Sequence, residues 1–393
     1  MFFSLEIGLS LIAVLLLIPC LVLLVECLMS ILPLNESLET HLENQPSFKI
    51  LIPAHNEETV IEETLKSLLL QVNSPDEIIV IADNCTDRTA EIARKFEITV
   101  LERQDSEKRG KGYAIDYGIK FLNGKPPEIV IILDADCLME PQTLGYLVQL
   151  SYAQQKPIQS TYLMETDLDP MLRDKISAFA ILMKNFVRPY GLARLNSPCL
   201  LNGSGMAFPW SIISQVNLAN NKTVDDMQLS VDLAIAGYAP SYCPQGKVIG
   251  RLMQQDQAQS QRSRWEHGHL SLILSQTPRL LLASLKQRRL DLLALALELS
   301  VPPLSLLVMF WGLGMSIMVT AGLLGISWLP SILLGIGGIC LITAIVTGWA
   351  KFGREEISGW ALISIPFYLL WKIPLYVTFL VRPQSKWVKT ERD

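Results

Sequence analysis

The sequence predicts an α/β domain, a mostly parallel sheet with helices on both faces, set between N- and C-terminal transmembrane helices. Three observations lead there. Apolar, β-branched runs alternate with helical patterns over residues 48–133, the rhythm of parallel β-α-β units. Acids and bases concentrate in residues 35–290, whereas the first 30 residues and the stretch 291–381 carry few. The chain is 50% hydrophobic and 18% charged over 393 residues, too apolar for an ordinary soluble protein and too charged to lie wholly in a membrane.

Residues 1–34 form the first segment. The run 7–32 is apolar apart from Pro19 and Glu26. Its start, Met-Phe-Phe-Ser-Leu-Glu, lacks the basic region of a cleaved signal peptide, and its length suits a full crossing, so an uncleaved helix is expected. A globular domain follows over 46–250. Phe48–Ala54 reads as a strand and Glu57–Leu70 as a helix. Glu77–Ala82 is a second strand, Asp87–Lys95 a helix, Ile98–Leu101 a short third strand and Ala114–Phe121 a helix. Glu128–Leu133 is a strand that ends in Asp134. In parallel sheets ligands gather at the carboxyl ends of strands. Pro53–Glu57, Asp83 and Asp134–Asp136 fall there, on three different strands.

Residues 251–290 hold the pentad Gln261-Arg262-Ser263-Arg264-Trp265, followed by an amphipathic interface helix over 270–290 in which leucines alternate with Arg279, Lys286 and Arg288. Residues 291–382 supply three further apolar segments, at about 303–326, 329–350 and 357–381. The stretch 291–300, ahead of Pro302-Pro303, belongs to the first of these or lies at the interface. Lys286, Arg288 and Arg289 on one side, and Lys351 and Arg354 on the other, put the globular domain and the 351–356 loop in the cytoplasm. The last segment is interrupted by Lys372 and Pro374 and precedes a basic tail over 383–393. A span would put that tail outside, whereas a re-entrant or interfacial helix, the preferred reading, keeps it inside.

Several classes are excluded. A net charge of −5 argues against a nucleic-acid partner. Seven cysteines without a CxxC or Cys/His pattern read as reduced thiols. His267 and His269, spaced i and i+2, do not suit a helical metal pair and read as polar interface residues. A transporter would rest on Glu26, Glu298 and Lys372, a poor basis with so few spans.

The chemistry lies in the acids. Asp134 and Asp136, two carboxylates at a strand exit, can chelate a hard divalent cation that bridges phosphate oxygens. Asp83 stands at a strand tip where it can hydrogen-bond a base or ribose, while Asp87 or Thr86 caps the next helix. Lys111, in the loop Lys108–Gly112, can meet phosphates. Asn202-Gly203-Ser204-Gly205 reads as a tight loop entering a strand, for which a plain turn and an acceptor contact both serve. Asp225 and Asp226 open a helix; one acid is enough for a cap, and the second can work as a general base. Trp265 offers a flat face to a sugar, Arg264 a fork for phosphate and Gln261 a directed amide.

Taken in order, these residues resemble the membrane-bound family-2 glycosyltransferases of the cellulose synthase, hyaluronan synthase and ceramide glucosyltransferase type, over roughly residues 48–270. The resemblance implies a GT-A, Rossmann-like fold, a UDP-sugar donor and Mg²⁺ or Mn²⁺. It implies that Pro53, His55, Glu57 and Asp83 hold the uridine, with Lys111 near the donor phosphates. Asp134 and Asp136 match the DxD motif, with Asp136 the direct metal ligand, and Asp226 matches the catalytic base. Gln261, Arg264 and Trp265 match Gln-x-x-Arg-Trp at the diphosphate and acceptor. Two departures stand out. Val224-Asp225 replaces Thr-Glu, and Leu-Leu-Asn202-Gly203-Ser replaces the Phe-Phe-Cys-Gly-Ser of cellulose synthases, which speaks against a cellulose-like acceptor. The resemblance implies inverting transfer of a hexosyl unit. The small number of apolar segments, at most four, argues against a pore within one subunit and for a lipid or lipid-linked glycan acceptor, with the protein integral to the plasma membrane. The alternative is a processive polysaccharide synthase that works as a homo-oligomer or with a channel partner.

Overall fold

The computed structural model describes residues 2–33, 46–165, 171–219, 225–251 and 255–364. They divide into two compact units. A sheet unit takes 46–165, 198–219, 225–251 and 255–268, and a helical unit takes 2–33, 171–197 and 269–364.

The chain begins with α1 (Phe2–Met29). It continues through β1 (Phe48–Ala54), α2 (Ile61–Leu69), β2 (Ile78–Asp83), α3 (Thr89–Arg94), β3 (Thr99–Arg103), α4 (Lys111–Leu122) and β4 (Ile129–Ile132). Next come β5 (Cys137–Met139), α5 (Thr143–Gln154), β6 (Ile158–Met164), α6 (Leu172–Leu182), α7 (Arg188–Arg194), β7 (Met206–Pro209) and α8 (Trp210–Ile213). Then follow α9 (Asp225–Ala236), β8 (Ser241–Gly250) and α10 (Gln255–Gln287). The last are α11 (Leu290–Ser300), α12 (Leu304–Leu323), α13 (Leu329–Gly348) and α14 (Gly359–Ile363).

The sheet runs β3-β2-β1-β4-β7-β6-β8-β5. Its parallel part is the one the alternating pattern predicts: β1 pairs with β2 and β4, and β2 with β3, all in the same sense. Beyond β4 the sheet is mixed. β7 runs against β4 and β6, β5 runs against β8, and β6 and β8 are parallel. β7 follows a long excursion through α6 and α7, so no local pattern announces its direction.

Both faces of the parallel part are covered, which explains why its central strands β2 and β4 are near-continuous apolar runs instead of alternating ones. Ile50, Ile52, Ile78 and Val80 point to one face and pack with Ile61, Leu65 and Leu68 of α2 and with Leu144 and Leu147 of α5. Leu51, Ile79 and Ile81, one residue out of step, point to the other and pack with Ala114, Ile115 and Ile119 of α4 and with Leu229 and Leu233 of α9. Helices α4 and α9 therefore share a face, which matters for the site.

Among the described residues of the helical unit, three helices are long and apolar enough to cross a membrane: Phe3–Met29, Leu304–Leu323 and Leu329–Gly353. Residues 291–300 form a helix of their own, α11, which stops before Pro302 because proline cannot continue the hydrogen-bond ladder. The indole of Trp311 on α12 donates to the Leu334 carbonyl of α13 at 2.9 Å, so its one polar atom is satisfied. Glu26, inside α1, is 2% exposed and paired with Arg188 of α7, whose Nε donates at 2.5 Å. Arg188 Nη2 also reaches the Glu298 carbonyl at 2.9 Å. Glu26 is thus a structural partner, which removes the main support for a transporter. Lys351 donates to the carbonyls of Ser30 and Ile31 at the end of α1, at 2.9 and 2.6 Å. Of the last apolar segment only α14 and its flanks are described; Lys372, Pro374 and the basic tail lie outside the described residues.

Two expectations are corrected. The pentad does not precede the interface helix but lies inside α10, which is continuous from Gln255; the polar composition of 255–265 conceals a helix that begins early. His267 and His269 are buried, 1% and 4% exposed, and are not interface residues. Burial, with Lys184 and Arg188 nearby, pushes the His269 imidazole down to about 3, so it is neutral.

Candidate active site

The site grows from the carboxyl edge of the parallel strands. β4 ends at Ile132, and the turn Asp134-Ala135-Asp136 leads directly into β5. This turn is pinned from several sides. The Asp134 N–H donates to Ser204 Oγ at 3.0 Å, Thr64 Oγ1 donates to the Ala135 carbonyl at 2.8 Å, and the Arg251 N–H donates to the Asp136 carbonyl at 3.1 Å. Ligand atoms of Asp134, Asp136 and Cys137 lie within 4.8 Å of one another. Burial, and then the neighbouring Asp134 charge, push the Asp136 carboxyl up to about 6. Cys137 is no ligand for a hard ion: burial and the two aspartates hold its thiol protonated, and it donates to Asp136 Oδ1 at 3.6 Å.

Lys111 enters from α4, at its first residue. Gly110 before it has φ 125°, a conformation open to glycine, and this turn aims the lysine at the strand edge. Its Nζ is ion-paired with Asp134 and donates to the Gly203 carbonyl at 2.5 Å. Burial pulls the ammonium down, but Asp134 and then Asp226 outweigh it and leave it above its ordinary range.

Asp226 enters from α9, on the same face as α4. It is brought in by the loop Asn202–Gly205. Gly203 has φ 89°, and a Cβ there would lie 3.3 Å from Asp226 Oδ2 and 3.7 Å from Lys111 Nζ. Lys111, Asp134, Asp136, Gly203 and Asp226 therefore form one group, although residues 111 to 226 span most of the domain. Asp225 sits at the start of α9; its side chain and Val224 lie outside the described residues.

Residues outside the sequence motifs hold this loop. Gln159, fully buried on β6, accepts the Asn202 N–H at 2.8 Å and donates to the Ser204 carbonyl at 2.9 Å. Ser230 accepts the Leu201 N–H at 2.8 Å and donates to the Asp226 carbonyl at 2.9 Å. A buried glutamine on a strand was the signal available, but its partner lies 43 residues away.

A second group forms at the tips of β1 and β2. His55 Nδ1 donates to the Asp83 carbonyl at 2.7 Å; the acceptor is a carbonyl, so Nδ1 carries the hydrogen. Asn56, with φ 56°, accepts the Thr86 N–H at 2.8 Å. The Glu57 N–H donates to Thr89 Oγ1 at 2.7 Å, and its carbonyl accepts the first N–H groups of α2. Asp87 accepts from both the N–H and the hydroxyl of Thr89, the first residue of α3, while the N-cap position itself falls on Arg88, which makes no side-chain cap bond. The Asp83 carboxylate is bound to Arg103 at 2.5 Å. Pro53 stands opposite Ile81, one pair before the β1–β2 register ends at Ala54 and Ala82.

Arg264 and Trp265 are half-buried on α10, and burial lowers the Arg264 guanidinium from its usual range. The Gln261 side chain lies outside the described residues.

A family profile described as Glycosyl transferase family 2 matches residues 49–198, and one described as Glycosyl transferase family group 2 matches residues 129–375. The chain belongs to the family-2 glycosyltransferases. This glycosyltransferase is 34% identical over 116 residues to the probable glycosyltransferase YdaM of Bacillus subtilis, a match covering 28% of this chain and 27% of that one. It is 30% identical over 122 residues to the poly-β-1,6-N-acetyl-D-glucosamine synthase of Staphylococcus aureus, covering 30% of this chain and 28% of that one. The matches thus span less than a third of either relative. The mannosyltransferase PcManGT from Pyrobaculum calidifontis, solved with GDP-Man and Mn²⁺, superposes with a TM-score of 0.56 at 18% identity, covering 95% of this chain and 99% of that one. That likeness is one of fold, and the glycosyltransferase has a GT-A-type architecture.

Proposed function

We propose that this glycosyltransferase moves a hexosyl unit from a UDP-sugar to a lipid or lipid-linked acceptor at a membrane surface, with inversion to a β-glycosidic bond. The observation that carries the reading is the single group formed by Lys111, Asp134, Asp136, Gly203 and Asp226, in which a cation and a separate carboxylate flank an acidic turn.

The acidic turn fits a divalent cation. Two carboxylates forced together by a pinned turn, one of them pushed up to about 6, are a donor set that a hard ion relieves. Asp134 and Asp136 would hold Mg²⁺ or Mn²⁺, which when bound supplies positive charge to a diphosphate. Mn²⁺ accompanies GDP-Man in the mannosyltransferase of like fold. Lys111 adds a second cation on the donor side, and Arg264 is read as a third. Asp226 takes the proton of the acceptor hydroxyl as that oxygen attacks the anomeric carbon. The bond from that carbon to the diphosphate breaks, and the electron pair leaves with UDP. Asp83 and His55 face the base, and Asn202 and Trp265 the acceptor.

Three apolar helices and the basic residues at 286–289 and 351–354 support a multi-pass protein with its sheet unit in the cytoplasm. The test is release of UDP by the purified protein from UDP-glucose, UDP-GlcNAc and UDP-galactose. Release that persists undiminished in chelator would overturn the metal role, and no release with any UDP-sugar would overturn the donor. A processive synthase is the second reading, favoured by the similarity to the poly-N-acetylglucosamine synthase. A high-mass polymer among the labelled products selects it over single transfer.

A further inference from the structure

The Asp83 carboxylate is 5% exposed, and its two oxygens are not equivalent. Oδ1 accepts from Arg103 Nη1 at 2.5 Å and from Asn84 Nδ2 at 3.0 Å, which fills the two acceptor directions of one carboxylate oxygen. Oδ2 has no hydrogen-bond partner among the described residues. The inequality is held in place. Arg103 Nη2 donates to Asp105 at 3.2 Å and to the Lys108 carbonyl at 2.7 Å, and the guanidinium carbon lies 5.7 Å from the centre of the Tyr113 ring. Asn84, at φ 53°, accepts the Asp105 N–H at 2.8 Å. His55 anchors the Asp83 main chain at 2.7 Å.

We propose that Arg103 is a specificity-determining residue: by filling one oxygen of Asp83 it leaves a single acceptor, which suits the edge of uracil and rejects that of guanine. The uracil edge presents one N–H between two carbonyls, and one open oxygen satisfies it. Guanine presents N1–H and the N2 amino group side by side, and pairs with a carboxylate through both oxygens. With Oδ1 filled, one guanine donor stays unpaired, at an expected cost of about tenfold in affinity. The fold does not make this choice, since the mannosyltransferase of like architecture holds GDP-Man. Arg103 also ties the base edge to the loop that precedes Lys111, because the same guanidinium holds the Lys108 carbonyl. The inference rests on the reading of Asp83 as the base contact.

The test is calorimetric binding of UDP and of GDP to the full-length protein in detergent with Mn²⁺. The wild type is expected to favour UDP by about tenfold. Arg103→Ala narrows that ratio by about fivefold or more, chiefly through tighter GDP, and Arg103→Lys, which keeps a cation on Oδ1, retains most of it. Asp83→Asn weakens UDP about tenfold. A folded Arg103→Ala protein with the wild-type ratio overturns the role of Arg103 and leaves Asp83 standing. Unchanged UDP affinity in Asp83→Asn, or a wild type that favours GDP, overturns the base reading underneath. Should Arg103→Ala fail to fold, Arg103→Met keeps an apolar stem of similar length and withdraws the same donor from Oδ1, and an unchanged ratio there overturns the proposal.

Discussion

Lys111–Asp134 in the sheet unit and Arg188–Glu26 in the helical unit both join residues far apart in the chain, yet they are finished differently. Arg188 spends its fork on Glu26 and on the Glu298 carbonyl, within surroundings that leave Glu26 2% exposed. Lys111, a compact cation with rotatable donors, faces more negative charge than it can neutralise: Asp134, Asp136 and Asp226. A closed pair holds elements together, whereas a surplus of carboxylates around one ammonium is poised for a cationic or proton-bearing guest. The choice of arginine in one place and lysine in the other follows the same division.

The sharpest way to break this comparison is Asp226→Asn. Loss of a general base is expected to lower transfer about 10²–10⁴-fold, with UDP-sugar affinity and unfolding temperature unchanged. Retained turnover removes Asp226 from the role.

The second test acts on the closed pair. Arg188→Met leaves Glu26 buried without its partner, which is expected to cost about 3–5 kcal/mol, read as a fall in unfolding temperature in detergent. The double change Glu26→Leu with Arg188→Met recovers most of the loss. If the double variant is no more stable than the single, the pair is not the closed unit described.

Gly203→Ala sharpens the contrast from the site side. A methyl group 3.3 Å from Asp226 Oδ2, at a backbone angle unfavourable to alanine by about 1–2 kcal/mol, should lower turnover about tenfold with a modest loss of stability. Equal turnover in the two proteins would separate Gly203 from the site.

The smallest effect concerns pH. His269 is neutral in the folded helical unit, pushed down to about 3, whereas an unfolded histidine takes a proton near pH 6.5. The unfolded state then binds more protons between these values, so stability is full above about pH 6.5 and declines as pH falls toward 3. His269→Gln should flatten that acid limb. A limb of unchanged slope would place its origin in other groups.

The parallel half of the sheet was legible because its causes are local. Phe48–Ala54 is an apolar run broken only by Lys49, and it forms a strand with those bounds. The acidic turn and the glycine loop were legible as residue types at strand exits. What holds them was not. Gln159 acts on residues 43 and 45 positions away, Arg103 on one 20 away, and Arg188 on one 162 away. Such pairings depend on how elements meet in space, which periodicity does not encode. The helix through Gln261–Trp265 was hidden for the opposite reason, since its early turns are polar and carry no apolar stripe to reveal them.

Helix α1 has no lysine or arginine of its own; the first basic residue in the chain is Lys49. The cation at its end is Lys351, which donates to carbonyls 321 and 320 positions upstream. Carbonyls at the C-terminal end of a helix carry partial negative charge, so the third apolar helix supplies the first with the cation that its own sequence lacks.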